Sequence, residues 1–209
     1  MRRFTMLALT VTALTIPGQA LAGPILDQVN PAPGSSYFNG ESTNLTWQQE
    51  VTVGVSGRLA GIELWGLLAP LEPGPFDGRL QFFVNRGPAW QTDANDFQVQ
   101  PTLSNDQWTY LDVSSAALDF LAGDVFVFGV HGLGYTTWLW GTSEQGGGDA
   151  YPGGRLFLNG TVYDAVGLQH DLSFRTYMDP VPEPASVVLL GSGLVGLMRA
   201  ASRRSRRPR

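Results

Sequence analysis

The sequence predicts an all-β protein: an antiparallel β-sandwich, jelly-roll-like, with an N-terminal signal peptide before it and a single membrane-spanning helix after it. Two observations favour this fold class. Between Gly23 and Asp179, short runs rich in β-branched and aromatic residues are separated by clusters of Gly, Pro, Asn and Asp, which is typical of strands and turns. The same stretch contains no convincing helical pattern, and short strands at this spacing are typical of two packed sheets.

The first 22 residues have the pattern of a secretory signal peptide. Arg2 and Arg3 precede an apolar stretch from Phe4 to Ile16, and residues 20–22 (Ala-Leu-Ala) form a small-x-small cleavage site. We therefore expect export through the Sec machinery and a mature chain that begins at Gly23.

The predicted domain, residues 23–179, contains eight β-rich runs. They are Leu45–Val55, Leu59–Leu67, Arg79–Asn85, Trp108–Val113, Val125–Val130, Thr136–Trp140, Arg155–Leu158 and Asp171–Met178. The Asn-Gly pair at residues 159–160 is typical of a two-residue hairpin turn. We expect Val29–Asn44 to be rich in loops and Ser114–Leu121 to form one short helical turn.

Charge and cysteine content narrow the function classes. Between Gly23 and Val181, five arginines face 17 acidic residues, which gives a net charge of −12, and the whole chain lacks lysine. An acidic domain of this kind argues against nucleic acid and anionic membrane surfaces as partners. The chain has no cysteine, which excludes disulfides and thiolate metal sites, so stability comes from the core or from bound ions.

The last 29 residues combine a proline-bounded acidic signature, an apolar run and an arginine cluster. Residues 180–184 are a predicted linker with Pro182, Glu183 and Pro184, and the prolines favour an extended segment that a protease can reach. Residues 185–209 are predicted to be a transmembrane helix with an Arg-rich tail, and its 17 residues up to Ala201 are short for a span. The arginines expected to stop the span on the cytoplasmic side are Arg199, Arg203, Arg204, Arg206 and Arg207.

This tail closely resembles the PEP-CTERM sorting signal of exopolysaccharide-producing Gram-negative bacteria. The resemblance rests on the Pro182-Glu183-Pro184 signature, the apolar segment and the arginine cluster, in that order at the end of the chain. It implies that an exosortase-type membrane protease recognises and removes the tail. It also implies an exported protein with a transient inner-membrane anchor that then reaches the cell surface or extracellular matrix. The alternative is an ordinary C-terminal membrane anchor.

Four aromatic side chains are candidate ligand-binding residues, because sugar-binding surfaces use flat aromatic rings that stack on pyranose rings. They are Trp90, Trp138, Trp140 and Tyr151. Trp138 and Trp140 are two apart on one predicted strand and therefore face the same side of a sheet. The alternative is that both rings pack into the core. Trp90 and Tyr151 lie in Gly- and Pro-rich loops, where exposure is easier than on a strand.

Four carboxylates are candidate Ca²⁺ ligands: Asp27, Asp124, Asp149 and Asp171. They lie at predicted strand ends or in Gly-rich turns, where backbone carbonyls are free to join the oxygen ligands that Ca²⁺ needs. The three glycines before Asp149 resemble part of a Ca²⁺-binding nonapeptide repeat. The alternative is that these residues are structural turn residues or ordinary surface acids.

Catalytic patterns are not evident in the sequence. The chain has two histidines, His131 and His170, and lacks a Gly-x-Ser-x-Gly motif, a His-Glu-x-x-His motif and a cysteine nucleophile. We therefore expect no catalytic residues and no enzyme activity, although a carboxylate pair for glycoside hydrolysis stays open because separation in space is invisible in a sequence.

The domain also has a looser likeness, carried by Gly61–Trp65, residues 151–154 (Tyr-Pro-Gly-Gly) and Asp171–Tyr177. In these features it resembles β-sandwich modules found upstream of bacterial anchor signals, which are similar to carbohydrate-binding jelly rolls. The likeness implies no activity by itself, because β-sandwiches have many functions. We nevertheless expect the domain to bind polysaccharide, with exopolysaccharide as a partner. The alternatives are a structural matrix or adhesion protein without a defined ligand, and a secreted carbohydrate-active enzyme.

Overall fold

The computed structural model describes most of the predicted domain. The described residues are 23–31, 34–39, 45–68, 78–88, 95–132, 137–144, 149–163, 169–180 and 193. The predicted signal peptide, the Pro-Glu-Pro signature and the membrane-stop arginines lie outside this set. Within it, no helix combines the length and the apolar character needed to cross a membrane.

The described part of the chain consists almost entirely of β-strands. In chain order these are β1 (Ile25–Asn30), β2 (Ser36–Asn39), β3 (Thr46–Thr52), β4 (Gly57–Leu68), β5 (Leu80–Arg86), β6 (Phe97–Val99), β7 (Gln107–Asp112), β8 (Asp119–Phe120), β9 (Val125–Gly132), β10 (Thr137–Glu144), β11 (Leu156–Leu158), β12 (Thr161–Val162), β13 (Gln169–Leu172) and β14 (Phe174–Pro180). A 3₁₀ turn at Ser114–Ala116 is the helical element between β7 and β8. The prediction of an all-β fold is confirmed.

The strands form two antiparallel sheets. The first sheet has the order β1-β14-β4-β10-β13, with β2 also paired to β10 and with β7 and β8 paired to β4. The second sheet has the order β12-β11-β3-β9-β5-β6. The long strand β4 is the centre of the first sheet, since β14 and β10 follow one another along one side of it and β8 and β7 along the other.

One hydrophobic core lies between the two sheets. Ile62 and Leu64 of β4 and Phe174 of β14 contribute from the first sheet, and Phe82 and Phe128 contribute from the second, all with no exposed surface. The rings of Phe128 and Phe174 meet edge to face at 5.4 Å between centroids. Each fully buried large side chain of this kind contributes about 1.5–3 kcal/mol relative to an exposed one, so this layer holds the sheets together.

The predicted hairpin at residues 159–160 is confirmed. Asn159 and Gly160 both have positive φ, 48° and 80°, and they join β11 to β12. Positive φ at both central residues matches a type I′ turn, whose twist fits that of the flanking strands. The conformation of such a short turn can be predicted from the two residues that form it.

The structure differs from the sequence-based prediction at both ends of the domain. The stretch expected to be rich in loops contains part of β1 and all of β2, and β1 pairs with β14 from Ile25 opposite Met178 to Asn30 opposite Phe174. Neither strand has strong alternation, so pairing with distant strands decides their conformation. At the other end, β14 continues to Pro180, which faces Gly57 of β4, and so the predicted linker begins inside the sheet.

Candidate functional site

The outer side of the first sheet collects aromatic side chains from four strands. On β4, Ile62 and Leu64 are buried in the core, so Glu63 and Trp65, which alternate with them, point outwards. Directly opposed residues on neighbouring strands share a side of the sheet, and Trp108 lies opposite Trp65. We term the resulting surface the outer aromatic face; it consists of Glu63, Trp65, Trp108, Tyr110, Trp138, Trp140, Arg175 and Tyr177.

A charged network holds the middle of the outer aromatic face. Arg175 Nη1 donates to Glu63 Oε2 at 3.1 Å, and Tyr177 Oη donates to the same oxygen at 2.8 Å. The Arg175 guanidinium carbon lies 4.2 Å from the centre of the Trp108 ring, within the range of a cation–π contact. Burial, together with the bond to Glu63, raises the pKa of Tyr177 above its ordinary value. The hydroxyl therefore stays protonated and remains a donor.

The aromatic rings of the face are fixed by contacts with one another. Trp65 and Trp108 meet edge to face at 5.3 Å, and Trp65 Nε1 donates to Asp106 Oδ1 at 3.3 Å. Tyr110 and Tyr177 meet at 5.6 Å with 64° between their planes. Tyr110 is 46% exposed, so the surface presents an aromatic ring directly to solvent. Rings held in this way lose little conformational entropy when a ligand stacks on them.

Trp138 and Trp140 extend this face along β10. Leu139 between them is 2% exposed and belongs to the core, whereas both tryptophans are half-buried on the opposite side of the strand. Trp138 lies opposite Leu67, two residues after Trp65 on β4. The register of β10 assigns the inward position to Leu139, so neither tryptophan is part of the core between the sheets.

Tyr151 does not have the exposure that its Gly- and Pro-rich loop suggested. It is 5% exposed, its ring packs edge to face on Phe174 at 4.9 Å, and its hydroxyl donates to the Thr52 carbonyl at 3.4 Å. The loop folds onto β3 because the Gly153 carbonyl accepts from both the backbone N–H and the hydroxyl of Thr52. The expectation of exposure is wrong for this residue, and Trp90 lies outside the described residues.

Asp27 and Asp124 act as turn residues. Asp27 Oδ1 accepts from the backbone N–H groups of Gly54 and Val55 at 3.0 and 2.7 Å, which ties β1 to the turn between β3 and β4. Asp124 Oδ2 accepts from the Leu121 N–H at 2.7 Å across its own turn. Of the alternatives for these two carboxylates, the turn role is the one that their hydrogen bonds support.

Asp149 and Asp171, by contrast, come together. Asp171 on β13 is 1% exposed and accepts from Gln49 Nε2 at 2.9 Å, while the Asp149 carboxyl forms a hydrogen bond with it. Burial, and then the neighbouring Asp149 carboxyl, raise the pKa of Asp171 to about 7. Asp149 Oδ1 also accepts from the Tyr151 N–H at 3.0 Å. We term these two residues the acid pair.

The acid pair lies in a pocket of about 760 Å³. Other polar groups that line it are Glu50, Thr52, Arg155, Tyr163, Gln169 and His170. Carboxyl groups in direct contact are closer than the roughly 5–9 Å that separates the two acids of most glycoside hydrolases. Among the described residues, no group of three or more His, Asp or Glu side chains is arranged to hold a metal ion. Ca²⁺ binding stays a prediction.

Four residues of the outer aromatic face are not among the candidates predicted from the sequence: Trp108, Tyr110, Arg175 and Tyr177. A local signal for them exists, since β7 contains Trp-Thr-Tyr and β14 contains Arg-Thr-Tyr. In both triplets two large amphipathic side chains flank one threonine, so they share a side of the strand. What the sequence does not contain is the pairing of both strands with β4.

Comparison with known families identifies the end of the chain. Residues 180–207 match the PEP-CTERM protein-sorting motif, and no curated protein matches the chain. The prediction of a sorting signal is confirmed. The motif makes this chain an exported protein that is anchored transiently in the membrane and processed by an exosortase, itself a membrane protein. The match begins at Pro180, the last residue of β14.

Proposed function

We propose that this chain, an exported substrate of an exosortase with a PEP-CTERM tail, binds a polysaccharide of the cell surface or extracellular matrix through its outer aromatic face. The observation that supports the proposal is the arrangement of fixed rings around one charged network on a single side of a sheet. Rings supply surfaces for the apolar faces of sugars, and Glu63, Arg175 and Tyr177 supply acceptors and donors for hydroxyl groups.

The charge of the domain favours a neutral polysaccharide as the ligand. On the face itself, Arg175 is compensated by Glu63, with their side chains 36% and 16% exposed. The domain as a whole has 17 acidic residues against five arginines between Gly23 and Val181, so long-range repulsion disfavours anionic polymers. Stacking on aromatic rings does not depend on the charge of the ligand, so it is the main contribution to the affinity for an uncharged polysaccharide.

The proposal is tested by glycan-array binding of the full chain in detergent micelles, followed by titration with the best ligand. Trp108→Ala removes the ring beneath Arg175, and Trp138→Ala removes a ring at the other end of the face. Truncation of a central aromatic contact costs about 2 kcal/mol, so each variant is expected to bind roughly 30-fold more weakly.

The matched control is Phe157→Ala, which removes a half-buried ring from β11 of the second sheet. Its affinity is expected to equal that of the wild type. Equal binding by Trp108→Ala, Trp138→Ala and the wild type, or no selective glycan binding by the folded wild type, would contradict the proposal. Thermal unfolding of each variant shows whether the sheet is intact.

A second candidate function, a structural matrix or adhesion protein, is favoured by the edge of the first sheet. Within the described residues β1 pairs with β14 alone, and Ile25, Leu26 and Val29 are 39%, 51% and 46% exposed. An apolar edge strand is a template for pairing with another chain. Concentration-dependent assembly in sedimentation experiments, abolished by Val29→Lys, would support this function, and a monomer at all concentrations would contradict it.

A further inference from the structure

The acid pair joins two parts of the fold that the proposed polysaccharide-binding role does not use. Asp149 begins the segment Asp149–Arg155, which is attached to the second sheet: Thr52 N donates to the Gly153 carbonyl at 2.8 Å, and Glu50 N donates to the Arg155 carbonyl at 2.9 Å. Asp171 belongs to β13 of the first sheet. The contact between the two carboxyl groups therefore closes one side of the pocket across the gap between the sheets.

Gln49 determines which oxygen of the Asp171 carboxyl faces the Asp149 carboxyl. The Gln49 side chain donates to Asp171 Oδ1 and accepts from the Leu172 N–H, both at 2.9 Å, so its amide is clamped between β3 and β13. Gln49 has no exposed surface. One oxygen of the Asp171 carboxyl is thereby satisfied, and a contact between two carboxyl groups needs a proton on one of them.

We propose that the acid pair is a proton-operated latch, in which one shared proton holds the segment Asp149–Arg155 against β13 and loss of that proton opens the pocket. With the proton, one carboxyl donates and the other accepts. Without it, two carboxylates face one another in a poorly solvated place, and Asp171 is too tightly held by Gln49 to move away. The mobile partner is Asp149, since its segment is exposed at Pro152 and Arg155 and contains two glycines.

The other charged and titratable groups around the acid pair favour the same direction of change. Glu50 of β3 lines the pocket and adds negative charge, and Arg155 of the segment adds one positive charge. His170 of β13 and Tyr163, which follows β12, are the other titratable side chains that line the pocket. Above neutral pH the pocket thus contains more negative than positive charge, and like charges repel across its opening.

The raised pKa of Asp171 agrees with this geometry, because burial and the Asp149 carboxyl both favour the protonated form near pH 7. The latch is therefore expected to be closed in mildly acidic surroundings and open in alkaline ones. Its chemistry is independent of the outer aromatic face, so failure of glycan binding would leave it untouched. Opening of the segment widens the access of a small polar ligand to Glu50, Thr52 and Tyr163, which are already partly exposed in the pocket.

Amide hydrogen exchange of the full chain in detergent micelles, corrected for intrinsic rates, tests the latch at about pH 5.5 and about pH 8.5. The Glu50 and Thr52 amides donate to the segment at the Arg155 and Gly153 carbonyls. Their protection in the wild type is expected to fall roughly tenfold or more between the two conditions, because each pH unit above the pKa depletes the shared proton tenfold. Amides of β7 in the first sheet, a strand with no residue in the pocket lining, are expected to keep their protection.

Asp149→Asn and Asp171→Asn separate the latch from a general effect of pH. In each variant an amide group donates to the remaining carboxylate, so the segment is expected to stay protected at both pH values. Asp124→Asn, which changes a turn carboxylate outside the pair, is expected to retain the pH dependence of the wild type. Protection independent of pH in the wild type would overturn the latch even if a variant fails to fold, and so would unchanged pH dependence in folded Asp149→Asn and Asp171→Asn.

Discussion

The carboxylate of Asp27 is expected to be the strongest single attachment of β1 to the rest of the domain. Replacement by alanine removes the acceptor of two backbone N–H groups, those of Gly54 at 3.0 Å and Val55 at 2.7 Å. Both groups lie in the turn between β3 and β4. Among the described residues no other acceptor is given for these two N–H groups, so in the variant they bond to water or stay without a partner.

The magnitude follows from the same contacts. A hydrogen bond to a charged group contributes about 1.5–3 kcal/mol, so two such bonds contribute roughly 3–6 kcal/mol before costs. Burial raises the pKa of Asp27, which means that desolvation of the carboxylate offsets part of the free energy of these hydrogen bonds. We therefore expect Asp27→Ala to lower the free energy of unfolding by about 2–4 kcal/mol, a fall in Tm of roughly 5–15 °C for a domain of this size.

The assay is thermal unfolding followed by circular dichroism near neutral pH, with two comparison variants. Asp27→Asn keeps an oxygen acceptor and is expected to lose less than half as much stability. Asp112→Ala removes an exposed carboxylate whose hydrogen bonds, among the described residues, come from its near neighbour Ser114. It is expected to change the free energy of unfolding by less than about 1 kcal/mol. If Asp27→Ala unfolds within 1 °C of the wild type, the attachment of β1 does not depend on this carboxylate.

Three further predictions concern the acid pair, a close backbone contact and the sorting signal. Burial raises the pKa of Asp171 from 3.8 to about 7, so the folded state holds a proton that the unfolded chain releases, and the free energy of unfolding falls as pH rises through that window. Chemical denaturation at pH 8 should therefore show Asp171→Asn to be more stable than the wild type by about 1–3 kcal/mol. Equal stability of the two proteins would contradict this sign. Gly141→Ala is expected to lower the free energy of unfolding by about 1–3 kcal/mol, because a Cβ there overlaps the Phe38 ring and the Asp171 carbonyl. The control variant Gly23→Ala, which has open space around the new methyl group, should leave the free energy of unfolding unchanged. Glu183→Ala is expected to leave full-length protein in the inner membrane, and normal release on immunoblots of membrane fractions would contradict recognition of this glutamate by the exosortase.

The fold class could be predicted because it depends on local patterns. Alternation along β4 places Ile62 and Leu64 on one side and Glu63 and Trp65 on the other, whatever the neighbouring strands are. The type I′ turn at residues 159–160 likewise depends on two consecutive residues, Asn and Gly, that adopt positive φ easily. The sorting signal is equally local, since its signature, apolar run and arginines are consecutive in the chain.

The candidate sites could be predicted only in part because they depend on which strands become neighbours. Glu63 and Arg175 are 112 residues apart in the chain, yet their side chains form an ion pair across the β4–β14 ladder. The sequence showed Trp138 and Trp140 on one side of a strand, but not whether that side was the core. Among the four predicted Ca²⁺ ligands, only the tertiary packing of β13 separates the acid pair from the two turn carboxylates.

The direct passage from β14 into the sorting motif determines how the domain stands while it is anchored. Only Val181–Pro184 separate the paired residue Pro180 from the apolar run, a tether of at most roughly 14 Å. The Gly57 end of β4 therefore lies within that length of the predicted membrane segment. Trp65 lies eight residues further along that strand, roughly 26 Å away, so the tryptophans of the outer aromatic face lie at the opposite end of β4 from the sorting motif. If the outer aromatic face binds a matrix polymer, as proposed, that end of the domain would meet the polymer while the tail is still attached.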